Sequence, residues 1–124
     1  MRPLGGQEKM SDLTSPVRVF GTADVHGRTS QFGDRRIFVT PAVEHAEGGP
    51  MSVYSAHFGR GEHAELAASY EEVWTVTRGR LRISSADAVV TVGAGQFVHI
   101  PRKSPGEVEA LEDASLVCVS VPAH

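Results

Sequence analysis

The sequence is poor in the residues that most often announce a function. Among 124 residues there is one cysteine, Cys118, so an internal disulfide and a thiolate zinc cluster are both excluded. It lies in the apolar run "SLVCVSV", where a buried, inert thiol is expected rather than a nucleophile. Positive charge is not in excess: the net charge is −3, there is no basic footprint, and nucleic acid is not an expected partner. No apolar run approaches the roughly 18 residues that a membrane helix needs, and no charged-then-apolar leader is visible. Cytoplasm is therefore the expected compartment, without membrane association. No window of ten or more residues sustains a helical period, although "GEHAELAASYEE" has some helical composition. Phosphate-cradling glycine loops, a Ser/His/Asp order and a nucleophile elbow are all missing.

What is present is ordinary in bulk and informative in pattern. Hydrophobic residues make up 40% and charged residues 22%, which suits one globular domain large enough to bury a core. Residues 1–16 are polar and rich in glycine and proline, and are expected to form a loose tail. From 17 to 124 the chain becomes short strand-like runs: "VRVF", "RRIFVT", "MSVYSAHF", "EVWTVT", "RLRIS", "AVVTV", "QFVHI", "GEVEAL" and "SLVCVSV". Turn chemistry separates them in "FGD", "EGGP", "FGRG", "TRG", "SAD", "VGAG" and "PRKSPG". Short strands so spaced predict an all-β sandwich or barrel.

The order of residues in the second half resembles a known family. Glu72, six residues, then Gly79 fits the end of the first cupin motif, and Gly95, five residues, then Pro101 fits the start of the second. The span from about Val53 to Val121 is similar to a cupin, a single-domain double-stranded β-helix or jelly-roll barrel. More narrowly, "YEEVWTVTRGRLRI", "VHIPRKS" and "VSVPAH" look like the cupin domain of ethanolamine-utilization Q-type proteins. The resemblance implies that Glu72 points into the barrel. It also implies a homodimer, because cupins resemble one another in pairing sheets through short N-terminal strands. An exposed strand such as "RRIFVT" would otherwise leave an unpaired edge. Metal-binding cupins place an HxH pair just before the glutamate and a further histidine in the second motif. Here the pair falls on Glu65 and Ala67 or on Leu66 and Ala68, and the last ligand falls on Gly106. Of those positions only Glu72 keeps its ligand, with Glu65 as a substitute in one register. A divalent iron, manganese or nickel site wants imidazoles, so no metal cofactor is expected.

The residues themselves suggest chemistry around Glu72. Alternation puts Glu72, Trp74 and Val76 on one strand face and Glu71 on the other. Glu72 is read as an inward general acid or base, the alternative being a turn cap or a pair with Arg80 or Arg82. Trp74 supplies an apolar wall with one N–H donor, or is a plain core residue. His99 shares a face with Phe97, opposite Val98 and Ile100; both faces are partly apolar, so the pattern leaves open which is inward. If inward, His99 is a proton shuttle beside Glu72 and Phe97 lines the same pocket. Tyr70 stands at the rim, where its hydroxyl could orient a ligand. His57, on the face of Val53 and Ser55, is a candidate for the barrel mouth. Arg102, with Lys103 just after the second motif, is either an anion-binding lip or part of a solvated loop. A displaced metal site would draw on His57, His63, Glu65, Glu72 and His99. His26, His45 and His124 lie in loop or terminal contexts.

The expected function is a small-molecule enzyme of isomerase, lyase or cyclase type. Glu72, with His99 or Tyr70, would perform metal-independent acid/base chemistry in the barrel, such as isomerisation, cyclisation, dehydration or epimerisation. The alternatives are a non-catalytic metabolite-binding or accessory cupin and a metal-dependent dioxygenase or lyase using the displaced ligands. Acetate-kinase-like phosphoryl transfer is implied only by the resemblance to the Q-type proteins, and no nucleotide motif supports it.

Overall fold

A computed structural model describes residues 16–21, 28–66, 69–86 and 88–124. The expected tail lies outside these residues, apart from Pro16. Ten strands follow in order: β1 (Ser30–Gln31), β2 (Ile37–Val43), β3 (Ser52–Phe58), β4 (His63–Glu65), β5 (Glu71–Arg78), β6 (Arg80–Ser85), β7 (Ala88–Gly93), β8 (Phe97–Ile100), β9 (Gly106–Ala110) and β10 (Ala114–Val121). One sheet has six strands in the order β1-β2-β3-β10-β5-β8, and the other has four in the order β4-β9-β6-β7. All pairings are antiparallel. β6 pairs with β7, β5 with β8, β4 with β9 and β3 with β10, each pair enclosing the one before. The chain from β3 to β10 is thus one long hairpin wound into two facing sheets, which is a jelly roll.

Local alternation explains why the two sheets face each other. In β5, Glu72, Trp74 and Val76 are buried while Glu71, Val73 and Thr75 are exposed. β6 buries Leu81 and Ile83 and exposes Arg80 and Arg82. The inward sets meet in one core, where Val76, Leu81, Val108 and Leu116 are at most 1% exposed. Burying each such side chain stabilises the fold by about 1.5–3 kcal/mol. Gly79 makes the tight β5–β6 link possible. Its φ is +77°, and a Cβ there would lie 2.1 Å from the Asp113 carbonyl oxygen, so only glycine fits.

Two strand expectations change, and one segment without an expected strand forms one. "VRVF" forms no strand: Val17 and Val19 are 98% and 94% exposed, and no described strand pairs with them. Alternation makes a strand only where a sheet edge receives it. Within "GEHAELAASYEE", His63–Glu65 is β4, held by β9, so sheet pairing overrides the helical composition. "RRIFVT" is not an open edge either, because β2 lies between β1 and β3. Pro41, which has no N–H to give, sits where the β2–β3 register shifts between Pro41 and Val43. Among the described residues, no helix is long and apolar enough to cross a membrane.

Candidate functional site

The register of the large sheet assembles one polar cluster inside the barrel. Cys118 of β10 lies opposite Tyr54 of β3 on one side and opposite Trp74 of β5 on the other. Two residues along β5 is Glu72, which is only 3% exposed. The Tyr54 hydroxyl donates to Glu72 Oε1 at 3.0 Å, and the Trp74 indole N–H donates to the same oxygen at 2.6 Å. The other carboxyl oxygen, Oε2, is buried and has no hydrogen-bond partner among the described residues. Buried polar atoms are nearly always paired, so an orphan such as this calls for an explanation.

A cavity of about 140 Å³ adjoins the cluster. Its lining is chiefly apolar, with Ile37, Ala56, Phe58, Val108 and Leu116 beside Trp74, and with Glu72 and Tyr54 as the inner polar groups. Phe32 and Glu65, both exposed, belong to its outer part. Burial pushes the Tyr54 phenol well above its ordinary range, and the neighbouring Cys118 and Glu72 push it further. Burial likewise raises the Cys118 thiol, followed by the Glu72 charge, with the Tyr54 hydrogen bond acting the other way. Both groups therefore keep their protons. Tyr54 serves as a donor, and Cys118 is the inert thiol expected from its apolar run.

One end of the barrel beside this cluster is covered by His124. Its ring stacks on Tyr70 with centroids 3.6 Å apart and meets Tyr54 edge-on at 6.4 Å. His124 Nε2 lies 3.0 Å from the buried Ser120 Oγ. Its backbone N–H donates to Ser52 Oγ at 2.8 Å, and that hydroxyl lies 3.1 Å from the His124 carbonyl oxygen. Tyr70 is half-buried and stacked on His124, and is not among the residues that line the cavity.

The other candidates are dispersed. His99 does not share the cavity: it lies on the outer face of the large sheet, with Nε2 2.6 Å from Glu71 Oε2. Phe97, on the same outer face, is 73% exposed and lines no inner wall. Both expectations fail because β8 uses Val98 and Ile100 as its inward phase. His57 also faces outward, with Nδ1 2.8 Å from Ser115 Oγ. Arg102 is exposed in the turn after β8 and is not part of the cavity lining. His63 is exposed and lies 3.6 Å from Glu107. Glu72 pairs with neither nearby arginine. Arg80 is held by Glu112 at 2.7 Å and Arg82 by Glu109, both away from the core.

The donors around Glu72 do not fit the divalent metal that many cupins hold. No imidazole is among the described residues that line the cavity. At Gly106, the last ligand position by resemblance, a Cβ would lie 2.0 Å from the Ser84 carbonyl oxygen, so no histidine fits without moving backbone. Ala67 and Ala68 fall outside the described residues. His57, His63, Glu65, Glu72 and His99 do not converge, and among the described residues no group of three or more His, Cys, Asp or Glu side chains could hold a metal ion.

The sequence does not single out Tyr54 or His124, which the structure brings to the Glu72 cluster. In "MSVYSAHF" the phase of Tyr54, Ala56 and Phe58 carries the larger apolar side chains, and that signal marks it as the inward one. His124 had no such signal, because its place depends on contacts with Ser52, Tyr70 and Ser120 rather than on any local pattern.

Comparison with known proteins supports the fold. No protein-family model matches the sequence, and no curated protein matches it. Solved structures do. A structure assigned to ethanolamine utilization protein Q from Salmonella typhimurium is 19% identical, with a TM-score of 0.70, over 77% of this chain and 80% of that one. Ectoine synthase from P. lautus is 13% identical at a TM-score of 0.65, over 94% of this chain and 78% of that one. A cupin superfamily protein from Desulfitobacterium hafniense is 10% identical at a TM-score of 0.63, over 79% and 84%. The nested hairpin, the two facing sheets and these likenesses agree: the chain has the cupin fold, with Glu72 inside its barrel.

Proposed function

We propose that the protein is a small-molecule enzyme that performs metal-independent acid/base chemistry inside the barrel, with Glu72 as the group that exchanges a proton. The observation that carries this reading is the Glu72 carboxyl beside a cavity, held at Oε1 by Tyr54 and Trp74 and without a partner among the described residues at Oε2. Two fixed donors lock the orientation of the carboxyl, and an oriented carboxyl next to bound substrate is what proton transfer requires. The apolar wall excludes water and strengthens each polar contact. Isomerisation, cyclisation, dehydration and epimerisation all need one such group. Among the structural neighbours, ectoine synthase is by its name a catalyst on the same fold.

The test compares two neighbours. Compounds that perturb Trp74 emission would be followed for conversion by NMR with the wild-type protein, Glu72→Gln and Glu71→Gln. At saturating compound, turnover is expected to fall by roughly 10²-fold or more in Glu72→Gln and to change little in Glu71→Gln. Full turnover by Glu72→Gln overturns the assignment.

A second reading, a metabolite-binding module, is favoured by one observation. With His99 outside, the cavity keeps a single carboxyl, Glu72, at its inner end, and the second proton-transfer group of most acid/base sites is not beside it. Binding without conversion would establish that reading. A homodimer paired through the short N-terminal strands is part of the same proposal, and the edge strand β1, Ser30–Gln31, is exposed there. Light scattering should give twice the chain mass at micromolar concentration. A monomeric wild-type protein counts against pairing.

A further inference from the structure

The polar inventory of the Glu72 cavity is lopsided, and the imbalance names a ligand class. Three side chains around it carry a hydrogen that can be donated: Tyr54, Trp74 and Cys118. The Tyr54 hydroxyl and the Trp74 indole both spend their hydrogens on Glu72 Oε1. Cys118 offers only a thiol, a weak donor. On the acceptor side stand Glu72 Oε2, which has no partner among the described residues, and the carboxyl of Glu65 at the outer part. No lysine, arginine or histidine is among the described residues that line the cavity. Arg35, the cation placed over the lining residue Phe32 at 5.5 Å from its ring centroid, gives a guanidinium hydrogen to the His63 carbonyl at 3.0 Å. Arg35 is not itself part of the wall.

We infer that the cavity takes a small apolar molecule bearing an amine or a hydroxyl, with the ammonium form preferred, and rejects carboxylates and phosphates. The inference rests on the reading of Glu72 as the centre of the site and adds to it the charge and donor character of the ligand. A ligand N–H or O–H completes the hydrogen bonding of Oε2, which removes the cost of leaving a buried acceptor unpaired. A cation gains more, because it faces Glu72 and Glu65 in an apolar enclosure with the aromatic rings of Trp74, Phe32 and Phe58 on the wall. An anion meets two carboxyls of its own sign and finds no strong donor free. Size follows from the volume of about 140 Å³. A cavity of about 150 Å³ accommodates a benzene ring, so one ring or a short branched chain with a single polar group fills it, and a larger ligand would extend past Phe32 and Glu65 at the outer part. The fold does not impose this choice; the side chains of this chain do.

Trp74 is the one tryptophan of the sequence and lies on the cavity wall, so its fluorescence reports occupancy without a label. Benzylamine, benzyl alcohol and benzoate share a ring and differ in the group presented to Glu72. Titrated at neutral pH against the whole protein, benzylamine should bind more tightly than benzoate by a factor of roughly 10² or more, since juxtaposing like charges costs several kcal/mol. Benzyl alcohol should fall between them. In Glu72→Gln, which replaces the free acceptor and its charge with an amide, the advantage of the amine over the alcohol should disappear. Benzoate binding as tightly as benzylamine, with Trp74 responding, would overturn the ligand class while leaving the cavity as the site. If none of the three perturbs Trp74, the cavity is not a ligand site, and the reading of Glu72 falls with the inference. The ranking on the wild-type protein decides the matter even if the variant does not fold.

Discussion

Glu71 and Glu72 are adjacent in sequence and carry the same functional group, yet they belong to different chemical worlds. Glu71 stands on the outer face of the large sheet, 2.6 Å from His99, with both side chains about half exposed. Water and salt screen that pair, and exposed pairs of this kind contribute about 0–1 kcal/mol. Glu72 is 3% exposed, shares one oxygen between two neutral donors and leaves the other without a described partner. In an apolar surrounding every such contact is stronger, and every missing contact costs more. The two residues differ only in strand phase. A carboxyl becomes a functional candidate here through the face it occupies, not through its identity.

The contrast can be tested most severely on packing. Leu116, 1% exposed on the inner face of β10, should lose about 2–5 kcal/mol of stability as Leu116→Ala, through lost burial and a residual cavity. Val73→Ala, on the outer face of the neighbouring strand, should cost well under half as much. Urea unfolding of both variants gives the comparison, and equal losses would show that the outer face is buried in solution.

A smaller effect separates the faces by pH. The folded environment raises the Cys118 thiol well above its ordinary 9.0, mainly by burial. Above about pH 9 the unfolded chain has lost that proton while the folded chain retains it, so the unfolded state binds fewer protons and stability falls as pH rises. Below that pH the contribution is fully present. The loss is bounded at about 1.4 kcal/mol per pH unit for one group. Tyr54, raised from an ordinary 10.0, adds to the fall at higher pH. Urea midpoints between pH 8 and 10 should therefore decline in the wild-type protein and decline less in Cys118→Ala. An identical slope in both would mean that the thiol is not held protonated by the fold.

The smallest expected effect is on the outer pair. Glu71→Gln should change stability by less than about 1 kcal/mol, and the change should shrink further in high salt. A larger, salt-insensitive loss would indicate that the pair is covered, as it would be if the outer face were a subunit contact.

Strand phase in "EVWTVT" is legible from the sequence because alternation is a local property of an extended chain. It places Glu72, Trp74 and Val76 together whatever the strand later pairs with. The β class and the tight link at Gly79 are legible for the same reason: strand runs and turn chemistry are written within a few residues. Phase was not legible in "QFVHI", where both faces carry apolar residues, whereas in "MSVYSAHF" the larger side chains of Tyr54 and Phe58 mark the inward phase. His57 shares the phase of Val53 and Ser55 and His99 that of Phe97, and packing turns both phases outward. Nor could local pattern join Tyr54, Cys118 and Trp74 to one another. That row exists because β10 inserts between β3 and β5 in a particular register, and His124 reaches the same end only through Ser52, Tyr70 and Ser120. The sequence by itself determined an inward glutamate on a strand of an all-β domain. The tertiary structure decided its companions, because strand partners distant in the chain are chosen by which faces can be buried together.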